Sequence, residues 1–372
     1  MRKVFQVVRV NILVLTVLLF APASAFALYK TIKLSLQPVA VSESIDQNPV
    51  YSSAEERKIA EGLRGDSESA TTYKSFVGWK REPFTGQYKN VYSDYNVRAS
   101  TNHNLNDSIW FFGGSTMWGT GAQDSETIPS WVARLTSHQV SNFGETAWVS
   151  RQSVNQLMTL LSDNLYPQHV VFYDGVNDIL HGCRSDHLNV PAHGRESFIQ
   201  AKLSQTPIQA LLADAQPFTD FLAAPYKAVA AKLGFPVSRH QSYGSMDCSS
   251  NIQKAERIAQ HLVSNWFFAY KISQAYGAEF TAVLQPHAFV SQPKKDYLHS
   301  GESYLEPEYA AVYPLIESKI ESFCELDAEF CKRIVNGKTW LDGSVPVYLD
   351  FCHVTGRGNE LIATTLVQSF RL

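Results

Sequence analysis

The sequence predicts an α/β fold in which helices cover a mostly parallel sheet. Strand-like composition marks four short segments, at Ile109 to Phe112, His138 to Phe143, His169 to Tyr173 and Phe280 to Leu284. Two of them are continuously apolar, which is typical of parallel strands buried on both faces. Helical patterns separate these segments, and alternation of strand and helix favours a parallel sheet flanked by helices.

Helical spacing of apolar residues occurs in three of the intervening stretches. A long helix is predicted over about 253–276, directly before the fourth strand. Two amphipathic helices are predicted as well, one between the second and third strands and one at the end of the chain. Their apolar positions are Val154, Leu157, Met158, Leu161 and Leu165 in the first, and Leu361, Ile362, Leu366, Val367 and Phe370 in the second.

Residues 1–27 are typical of a secretory signal peptide. Basic residues precede an apolar stretch from Ile12 to Phe20, and small-residue cleavage patterns end at Ala25 and Ala27. This apolar stretch is shorter than the ~20 residues of a membrane span, which favours cleavage over the alternative of a retained signal anchor. We therefore predict an extracytoplasmic protein that is secreted or periplasmic. If the segment is instead retained as an anchor, the protein stays close to a membrane.

The remaining chain divides by composition into a linker and one domain. Residues 28–72 are polar and predict a linker with one short helix, and residues 73–372 predict the globular domain. A helical segment over about 181–250 interrupts the strand and helix alternation, with apolar residues at helical spacing from Phe218 to Leu233. Two interpretations stay open for it: an inserted lid, or helices that only cover the sheet.

Cysteine spacing argues against a metal-binding protein, and the net charge argues against a nucleic-acid-binding protein. The five cysteines lack the close spacing of zinc or redox motifs, so no metal is expected. In an exported protein Cys324 with Cys331 and Cys183 with Cys248 are candidate disulfides, which leaves Cys352 as the odd thiol. A net charge of −3 without a basic block gives no reason to expect a nucleic-acid partner.

Ser115 follows the first predicted strand and two glycines, where a chain can turn sharply and present a side chain at the sheet edge. A serine hydroxyl becomes a nucleophile only when a base takes its proton and a third group orients that base. Asp350 and His353, three residues apart before the last helix, provide a carboxylate and a base. Ser115, His353 and Asp350 are therefore candidate catalytic residues, although each also has an ordinary role in turns, caps or cores.

Attack on a carbonyl also requires hydrogen-bond donors for the developing oxyanion. Gly144 ends the second strand and is expected to have a free backbone N–H, and Asn177 follows the third strand with a side-chain amide. Together with the Ser115 N–H, they predict three donors at one edge of the sheet.

Four separated blocks, Gly-Gly-Ser-Thr, Asn-Phe-Gly, Gly-Val-Asn-Asp and Asp-x-x-His, occur in this order between Ile109 and Leu372. In this order they resemble the SGNH (GDSL-like) hydrolase superfamily. The resemblance implies a three-layer α/β/α sandwich with a flavodoxin-like sheet, a Ser115 nucleophile and a His353 base oriented by Asp350. It assigns the oxyanion hole to Ser115, Gly144 and Asn177 and implies no cofactor. The chain departs from the GDS pattern at Gly114, where that pattern has aspartate.

Other polar and aromatic residues near these blocks have weaker signals. Trp118, His287 and Phe289 are candidate substrate-pocket residues, with packing as the alternative. Cys352 is expected to be a buried spacer that points away from the site. The two acids of the third block, Asp174 and Asp178, are expected to be solvated loop residues.

These residues predict an exported serine esterase that cleaves an ester, such as an O-acetyl group on a small molecule or a carbohydrate, through an acyl-enzyme. An O-acyltransferase that modifies an exported polysaccharide is the alternative, because an acceptor hydroxyl can replace water in the second step. A third alternative is a glycan-binding domain that has kept the fold and lost catalysis.

Overall fold

The computed structural model describes residues 2–36, 45, 48–65, 70–186, 192–203, 218–229, 245–298 and 300–370. Their helices are α1 (Arg2–Leu36), α2 (Ala54–Gly65), α3 (Ser115–Trp118), α4 (Ile128–Thr136), α5 (Ser150–Ser162), α6 (Val176–Gly182), α7 (Glu196–Leu203), α8 (218–229), α9 (Ile252–Ala275), α10 (Glu306–Leu326), α11 (Ala328–Cys331) and α12 (Gly356–Phe370). The strands are β1 (Thr71–Lys74), β2 (Gly78–Arg81), β3 (Phe84–Thr85), β4 (Asn90–Val91), β5 (Ile109–Gly113), β6 (Val140–Asn142), β7 (His169–Asp174), β8 (Glu279–Leu284) and β9 (Ile334–Asn336).

Five parallel strands form the central sheet, in the order β6-β5-β7-β8-β9. At its centre β5 pairs with β7 in a register that places Ile109 opposite His169 and Gly113 opposite Tyr173. Parallel neighbours need long crossover connections, which helices provide here. The arrangement confirms the predicted α/β class, and four of the five strands match the predicted segments. The edge strand β9 has no counterpart in the sequence prediction.

Successive side chains of the central strands enter two different cores. Trp110 and Phe112 of β5 belong to the first core, which α5, α9 and α10 complete. Ile109 and Phe111 belong to the second core, with apolar side chains of α4 and α12. Because strand side chains alternate between the two faces, a sheet with a core on each face needs continuously apolar strands. The sheet is thus the middle layer of an α/β/α sandwich.

The sheet belongs to the larger of two compact units, which comprises residues 44–197 and 244–372. This unit includes α2, which lies in the predicted polar linker. A Cβ atom added to Gly62 in α2 would lie 1.9 Å from a ring carbon of Tyr88, so this helix packs closely on the domain. The boundaries at residues 27 and 72 remain predictions.

The smaller unit comprises residues 1–43 and 198–243. Within it, the 26-residue stretch Phe5–Lys30 of α1 is long and apolar enough to cross a membrane, as a signal peptide or an anchor also would be. The Tyr226 hydroxyl of α8 donates a hydrogen bond to the Leu18 carbonyl over 2.8 Å. Of the predicted insertion 181–250, residues 187–191, 204–217 and 230–244 lie outside the described residues.

Two disulfides join the pairs of cysteines that the sequence favours. Cys183 is bonded to Cys248 across 65 positions of sequence, and Cys324 to Cys331 across seven. Cys352 is a free, buried thiol. The longer bridge ties together the two ends of the predicted insertion.

We expect that removing an aromatic ring from the centre of the first core strongly lowers the free energy of unfolding. Phe172 of β7 is fully buried, with its ring centroid 5.2 Å from that of Phe112 and 5.7 Å from that of Phe280. We expect Phe172→Ala to lower the free energy of unfolding by about 3 to 5 kcal/mol. Urea unfolding measures it, with the half-exposed Met158→Ala as a control that should lose less than about 1 kcal/mol. Equal losses in the two variants would contradict this description of the core.

Candidate active site

The chain turns directly from β5 into α3 at Ser115, and two glycines allow this turn. A Cβ atom at Gly113 would lie 2.5 Å from the Tyr173 carbonyl oxygen of the neighbouring strand, and one at Gly114 would lie 2.2 Å from Asn177 Nδ2. Any side chain at these positions would therefore displace its neighbours. The turn leaves Ser115 half-buried at the carboxyl end of the sheet.

A continuous chain of hydrogen-bonding atoms joins Ser115 to Asp350 through His353. The distance from His353 Nε2 to Ser115 Oγ is 2.7 Å, and the distance from His353 Nδ1 to Asp350 Oδ2 is 2.6 Å. The other carboxylate oxygen of Asp350 accepts a bond from the His353 backbone N–H over 2.7 Å. Since an ionised carboxylate can only accept, a neutral His353 carries its proton on Nδ1 and leaves Nε2 free to accept the serine proton.

The environment keeps Asp350 ionised. Burial raises the pKa of this carboxyl, but the hydrogen bond from His353 and the charge of that imidazole outweigh burial, and the pKa is lowered overall. A carboxylate in this state holds the imidazole in one tautomer and stabilises its positive charge after proton transfer.

The loop after β8 supports the turn that carries Asp350 and His353. The rings of Phe289 and Phe351 are stacked, with centroids 5.4 Å apart and planes within 4°. The Ala288 N–H donates to the Phe351 carbonyl over 2.8 Å, and the Leu349 N–H donates to the His353 carbonyl over the same distance. These contacts bind the turn from both ends and restrict the position of His353.

Two hydrogen-bond donors lie at the turn from β5 into α3, one on Ser115 itself and one against Gly114. Ser115 is the first residue of α3, and the first N–H groups of a helix have no acceptor within that helix. Asn177 donates through Nδ2 to the Trp148 carbonyl over 2.8 Å, which fixes the amide against Gly114. A second N–H on the same nitrogen remains for a ligand. The local structure thus provides donors of the kind that stabilise an oxyanion.

Gly144 differs from the expectation of a free N–H. Its N–H donates to Asn142 Oδ1 over 3.0 Å, while Asn142 Nδ2 donates to the Met117 carbonyl over 2.9 Å. A Cβ atom at Gly144 would lie 2.5 Å from the Trp118 nitrogen, so glycine allows the loop after β6 to approach α3. Asn142 belongs to the Asn-Phe-Gly motif, but the sequence did not reveal that its side chain joins Gly144 to Met117. The motif contains no information about the hydrogen-bond partners of this side chain.

Trp118 is buried among other side chains. Its side chain is 4% exposed, and the guanidinium carbons of Arg81 and Arg98 lie 4.6 and 4.4 Å from its ring centroid. Both arginines are buried and have carboxylate partners, Glu145 and Asp124 respectively. The packing alternative therefore describes Trp118, and the cation–π contacts hold the end of α3 that follows Ser115.

His287 is also a packing residue, whereas Phe289 is half-buried. The His287 ring is fully buried, with its centroid 4.3 Å from that of Tyr309 and 4.7 Å from that of Tyr313. Burial lowers the pKa of this imidazole well below its usual range, so the ring is neutral. Its Nδ1 accepts a bond from the Phe289 N–H over 3.2 Å. His287 therefore shapes the loop that carries Phe289 instead of contacting a substrate.

Cys352 does not point away from the site as expected. Its Sγ lies 3.7 Å from His353 Nδ1, although the side chain is buried. Burial, followed by the charge of Asp350, raises the pKa of this thiol well above its usual range. The residue is therefore a neutral thiol packed beside the imidazole, where it adds bulk and no charge.

The two acids of the third block are buried, which contradicts the expectation that they are solvated. Asp178 accepts bonds from the Ser150 backbone N–H over 3.1 Å and from the Ser150 hydroxyl over 2.5 Å. Asp174 accepts a bond from Trp266 Nε1 over 3.1 Å. Burial raises the pKa of Asp178 to about 6 and, together with the charge of Asp178, raises that of Asp174 as well.

Two groups of potential metal-ligand atoms occur among the described residues. One consists of Asp350, Cys352 and His353, whose atoms already make the hydrogen bonds given above. The other contains Cys183 and Cys248, which are joined in a disulfide. Neither group offers a set of free ligand atoms.

No protein-family model matches the chain, and no curated protein matches it. The structure is similar to a lipolytic G-D-S-L family protein from Veillonella parvula, with 12% identity, a TM-score of 0.39, and coverage of 71% of this chain and 97% of that one. A GDSL-like lipase from Bacteroides thetaiotaomicron has 10% identity, a TM-score of 0.34 and coverage of 71% and 87%. A carbohydrate acetylesterase from Sinorhizobium meliloti has 14% identity, a TM-score of 0.34 and coverage of 72% and 99%.

The first two of these proteins have G-D-S-L in their names, and the third is described as a carbohydrate acetylesterase. At such identities and TM-scores these similarities carry no argument about the reaction. The argument for function therefore depends on the residues of this chain and their geometry.

The buried Asp178 makes a contribution to stability that falls as the pH rises from about 4 to about 7. The folded protein holds the Asp178 proton up to about pH 6, whereas an unfolded aspartate loses it near pH 3.9. The contribution of Asp178 to the free energy of unfolding is fully present below the pKa of the unfolded chain. It is lost as the pH rises through the pKa of the folded protein, and the loss amounts to about 2 to 3 kcal/mol.

Urea unfolding of the parent and of Asp178→Asn at pH 4 and pH 7.5 measures this loss. Groups that do not interact with Asp178 cancel in the difference, whereas the Asp178 charge raises the pKa of Asp174 and so adds to it, and the parent should therefore lose at least about 2 to 3 kcal/mol more than the variant over this range. Parallel stability curves for the two proteins would show that Asp178 does not titrate as described.

Proposed function

We propose that this protein is a serine acyl hydrolase that cleaves an ester through an acyl-enzyme. The observation that carries the proposal is the hydrogen-bonded chain from Ser115 through His353 to Asp350, with distances of 2.7 and 2.6 Å. Ser115 and His353 are partly buried and keep some exposed surface, which makes this chain accessible to a substrate. Nucleophile, base and orienting carboxylate then lie within hydrogen-bond reach, as acyl transfer requires.

In the first step Ser115 Oγ attacks the ester carbonyl carbon while its proton passes to His353 Nε2. The carbonyl oxygen becomes an oxyanion, which the Ser115 N–H and the second N–H of Asn177 stabilise in our proposal. Collapse of the tetrahedral intermediate breaks the ester bond, and His353 gives its proton to the departing alcohol. Asp350 stays ionised throughout and stabilises the imidazolium.

In the second step water attacks the acyl-enzyme, and His353 Nε2 takes its proton. The same two donors stabilise the second oxyanion, and Ser115 leaves with the proton that His353 returns. Every step uses side chains, backbone groups and water. If the hydroxyl of a sugar replaces water, the same residues perform acyl transfer, so product analysis separates the two reactions.

We propose that the protein acts outside the cytoplasm. Two observations support this: the apolar stretch Phe5–Lys30, with the composition of a signal peptide or anchor, and two disulfides, which persist in oxidising compartments. An O-acetyl group on a carbohydrate is the proposed substrate, because such esters are accessible to an exported enzyme.

Variants of the three residues test the proposed chemistry directly. We expect Ser115→Ala and His353→Ala to lower kcat for p-nitrophenyl acetate by at least about 10³-fold, and Asp350→Asn by about 10³- to 10⁴-fold, because tautomer and charge are both lost. Ser322→Ala changes an exposed serine of α10 and should leave kcat unchanged. Hydrolysis by Ser115→Ala at the parent rate would exclude the proposed nucleophile.

The contact between Gly114 and Asn177 gives a separate test of the oxyanion donor. A Cβ atom at residue 114 would lie 2.2 Å from Asn177 Nδ2 and would move that amide. We expect Gly114→Ala and Asn177→Ala each to lower kcat by about 10²-fold.

The double variant should lose little more than either single variant, because both changes remove the same donor. Gly65→Ala is the matched control, since a Cβ atom there meets no atom within 4 Å. Fully multiplied losses in the double variant would show that Gly114 acts independently of Asn177.

A further inference from the structure

The carbonyl group of Trp148 determines where the side-chain amide of Asn177 points. Asn177 Nδ2 donates one of its two protons to this carbonyl over 2.8 Å. The two N–H bonds of an amide lie in one plane at a fixed angle, so the first hydrogen bond also sets the direction of the second N–H. That second N–H is the proposed oxyanion donor. Any group that holds Trp148 in place therefore acts on the oxyanion through Asn177.

Trp148 lies in the loop 143–149, between β6 and α5, and this loop contacts the turn between β5 and α3. The Glu145 N–H donates to the Gly113 carbonyl, at the end of β5, over 3.1 Å. A Cβ atom at Gly114 would lie 3.3 Å from the Trp148 carbonyl oxygen. The loop therefore runs along the turn, and a shift of the loop would move the acceptor that holds the amide.

Regular secondary structure does not hold the backbone of this loop. Ala147, directly before Trp148, has a φ of 61°, which is rare for residues other than glycine. Such a conformation persists only where the surrounding structure enforces it. The position of the Trp148 carbonyl therefore depends on contacts from outside the loop.

Two tryptophan side chains join the loop to the β1–β2 hairpin. Trp79 of β2 donates from Nε1 to the Thr146 carbonyl over 3.0 Å, and Trp148 donates from Nε1 to the Trp79 carbonyl over 3.0 Å. Both indoles are buried, and together with Val77 they form a small apolar core of their own. Because an indole has a single donor, each ring is fixed by its packing and by one hydrogen bond.

The rest of β2 adds a second set of contacts to the same loop. Glu145 Oε2 accepts a bond from the Arg81 backbone N–H over 2.8 Å, and Arg81 Nη2 donates to Thr146 Oγ1 over 3.2 Å. The Lys80 amino group lies 5.3 Å from the centroid of the Trp148 ring. The strand β2 therefore contacts the loop with three consecutive residues.

The β1–β2 hairpin is a two-stranded sheet of its own, apart from the central sheet. We infer that Trp79 and Trp148 are positioning residues for the proposed hydrolysis: their two indole hydrogen bonds hold the loop so that the Trp148 carbonyl keeps the Asn177 amide aimed at the oxyanion. The inference rests on the proposed function of Ser115 and Asn177. Both rings act through the backbone of the loop.

Trp79→Phe and Trp148→Phe test this role, because each keeps an aromatic ring and removes one N–H donor. We expect each variant to lower kcat for p-nitrophenyl acetate about tenfold and to change KM by less than about twofold, since a misdirected donor affects the transition state more than bound substrate. Trp340→Phe is the matched control. This half-buried ring packs on the second core, and its change should leave kcat within about twofold of the parent.

Double variants show whether the two tryptophans act through Asn177. Asn177→Ala removes the amide, so adding Trp79→Phe or Trp148→Phe to it should lower kcat by less than about twofold more. A general structural defect would also disturb Ser115 and His353, and its loss would then multiply with that of Asn177→Ala. Multiplied losses, or single variants with the kcat of the parent, would overturn the inference.

NMR of the amide itself separates this inference from the proposed hydrolase. In full-length protein made with isotope-labelled asparagine, the signals of the Asn177 side chain are those that Asn177→Ala removes, and the other asparagine signals report whether a variant is folded. Trp79→Phe and Trp148→Phe should shift the Asn177 signals because its hydrogen bond changes, whereas Trp340→Phe should not.

Shifted signals in a protein that hydrolyses no ester would overturn the hydrolase and keep the coupling between the indoles and the amide. Unshifted signals in both folded variants would overturn the coupling, whether or not the parent hydrolyses the ester.

Discussion

The pairing of β5 with β7 is the constraint on which the site depends. The register places Gly113 opposite Tyr173, so both strands end at one level and the turns after them lie side by side. Gly113 fits there only because it has no side chain, since a Cβ atom would lie 2.5 Å from the Tyr173 carbonyl oxygen. Burial of both sheet faces fixes this register, because a slip of one residue would exchange the two cores. Ser115 and Asn177 are consequently positioned by two neighbouring central strands of the sheet.

The third member of the site arrives from the other end of the chain. Asp350 and His353 lie on a turn outside the sheet, and contacts to the loop after β8 hold that turn. Stacking of Phe351 on Phe289 and the Ala288 hydrogen bond join the turn to the central strands. These contacts hold His353 in a defined position beside Ser115 although it lies on an irregular turn, and the general-base role proposed for it requires such a position.

Burying a carboxyl group behind the site costs desolvation free energy, and hydrogen bonds to neighbouring groups offset part of this cost. Asp178 follows Asn177 directly in the sequence. Its carboxylate accepts hydrogen bonds from the backbone N–H and the hydroxyl of Ser150, the first residue of α5. The bond from the Ser150 backbone N–H satisfies a donor at the start of a helix, where that helix offers no backbone acceptor. The raised pKa of Asp178 reports the desolvation that remains after these bonds. The residue therefore fixes the relative positions of α5 and α6, and with them the amide of Asn177.

The sequence by itself determined the α/β class, four of the five sheet strands, and the residues Ser115, Asp350 and His353, whose hydrogen-bonded contact the structure shows. Strand patterns are local, and the motif spacing identified which residue types meet at the sheet edge. It did not reveal the edge strand β9, because three residues paired on one side have little hydrophobic pattern. It was wrong about a free Gly144 N–H, about the direction of the buried Cys352 side chain and about two solvated acids, and it left a packing role and a pocket role open for Trp118 and His287. In each of these cases a partner distant in sequence decides burial or hydrogen bonding, and only the tertiary structure brings that partner into contact.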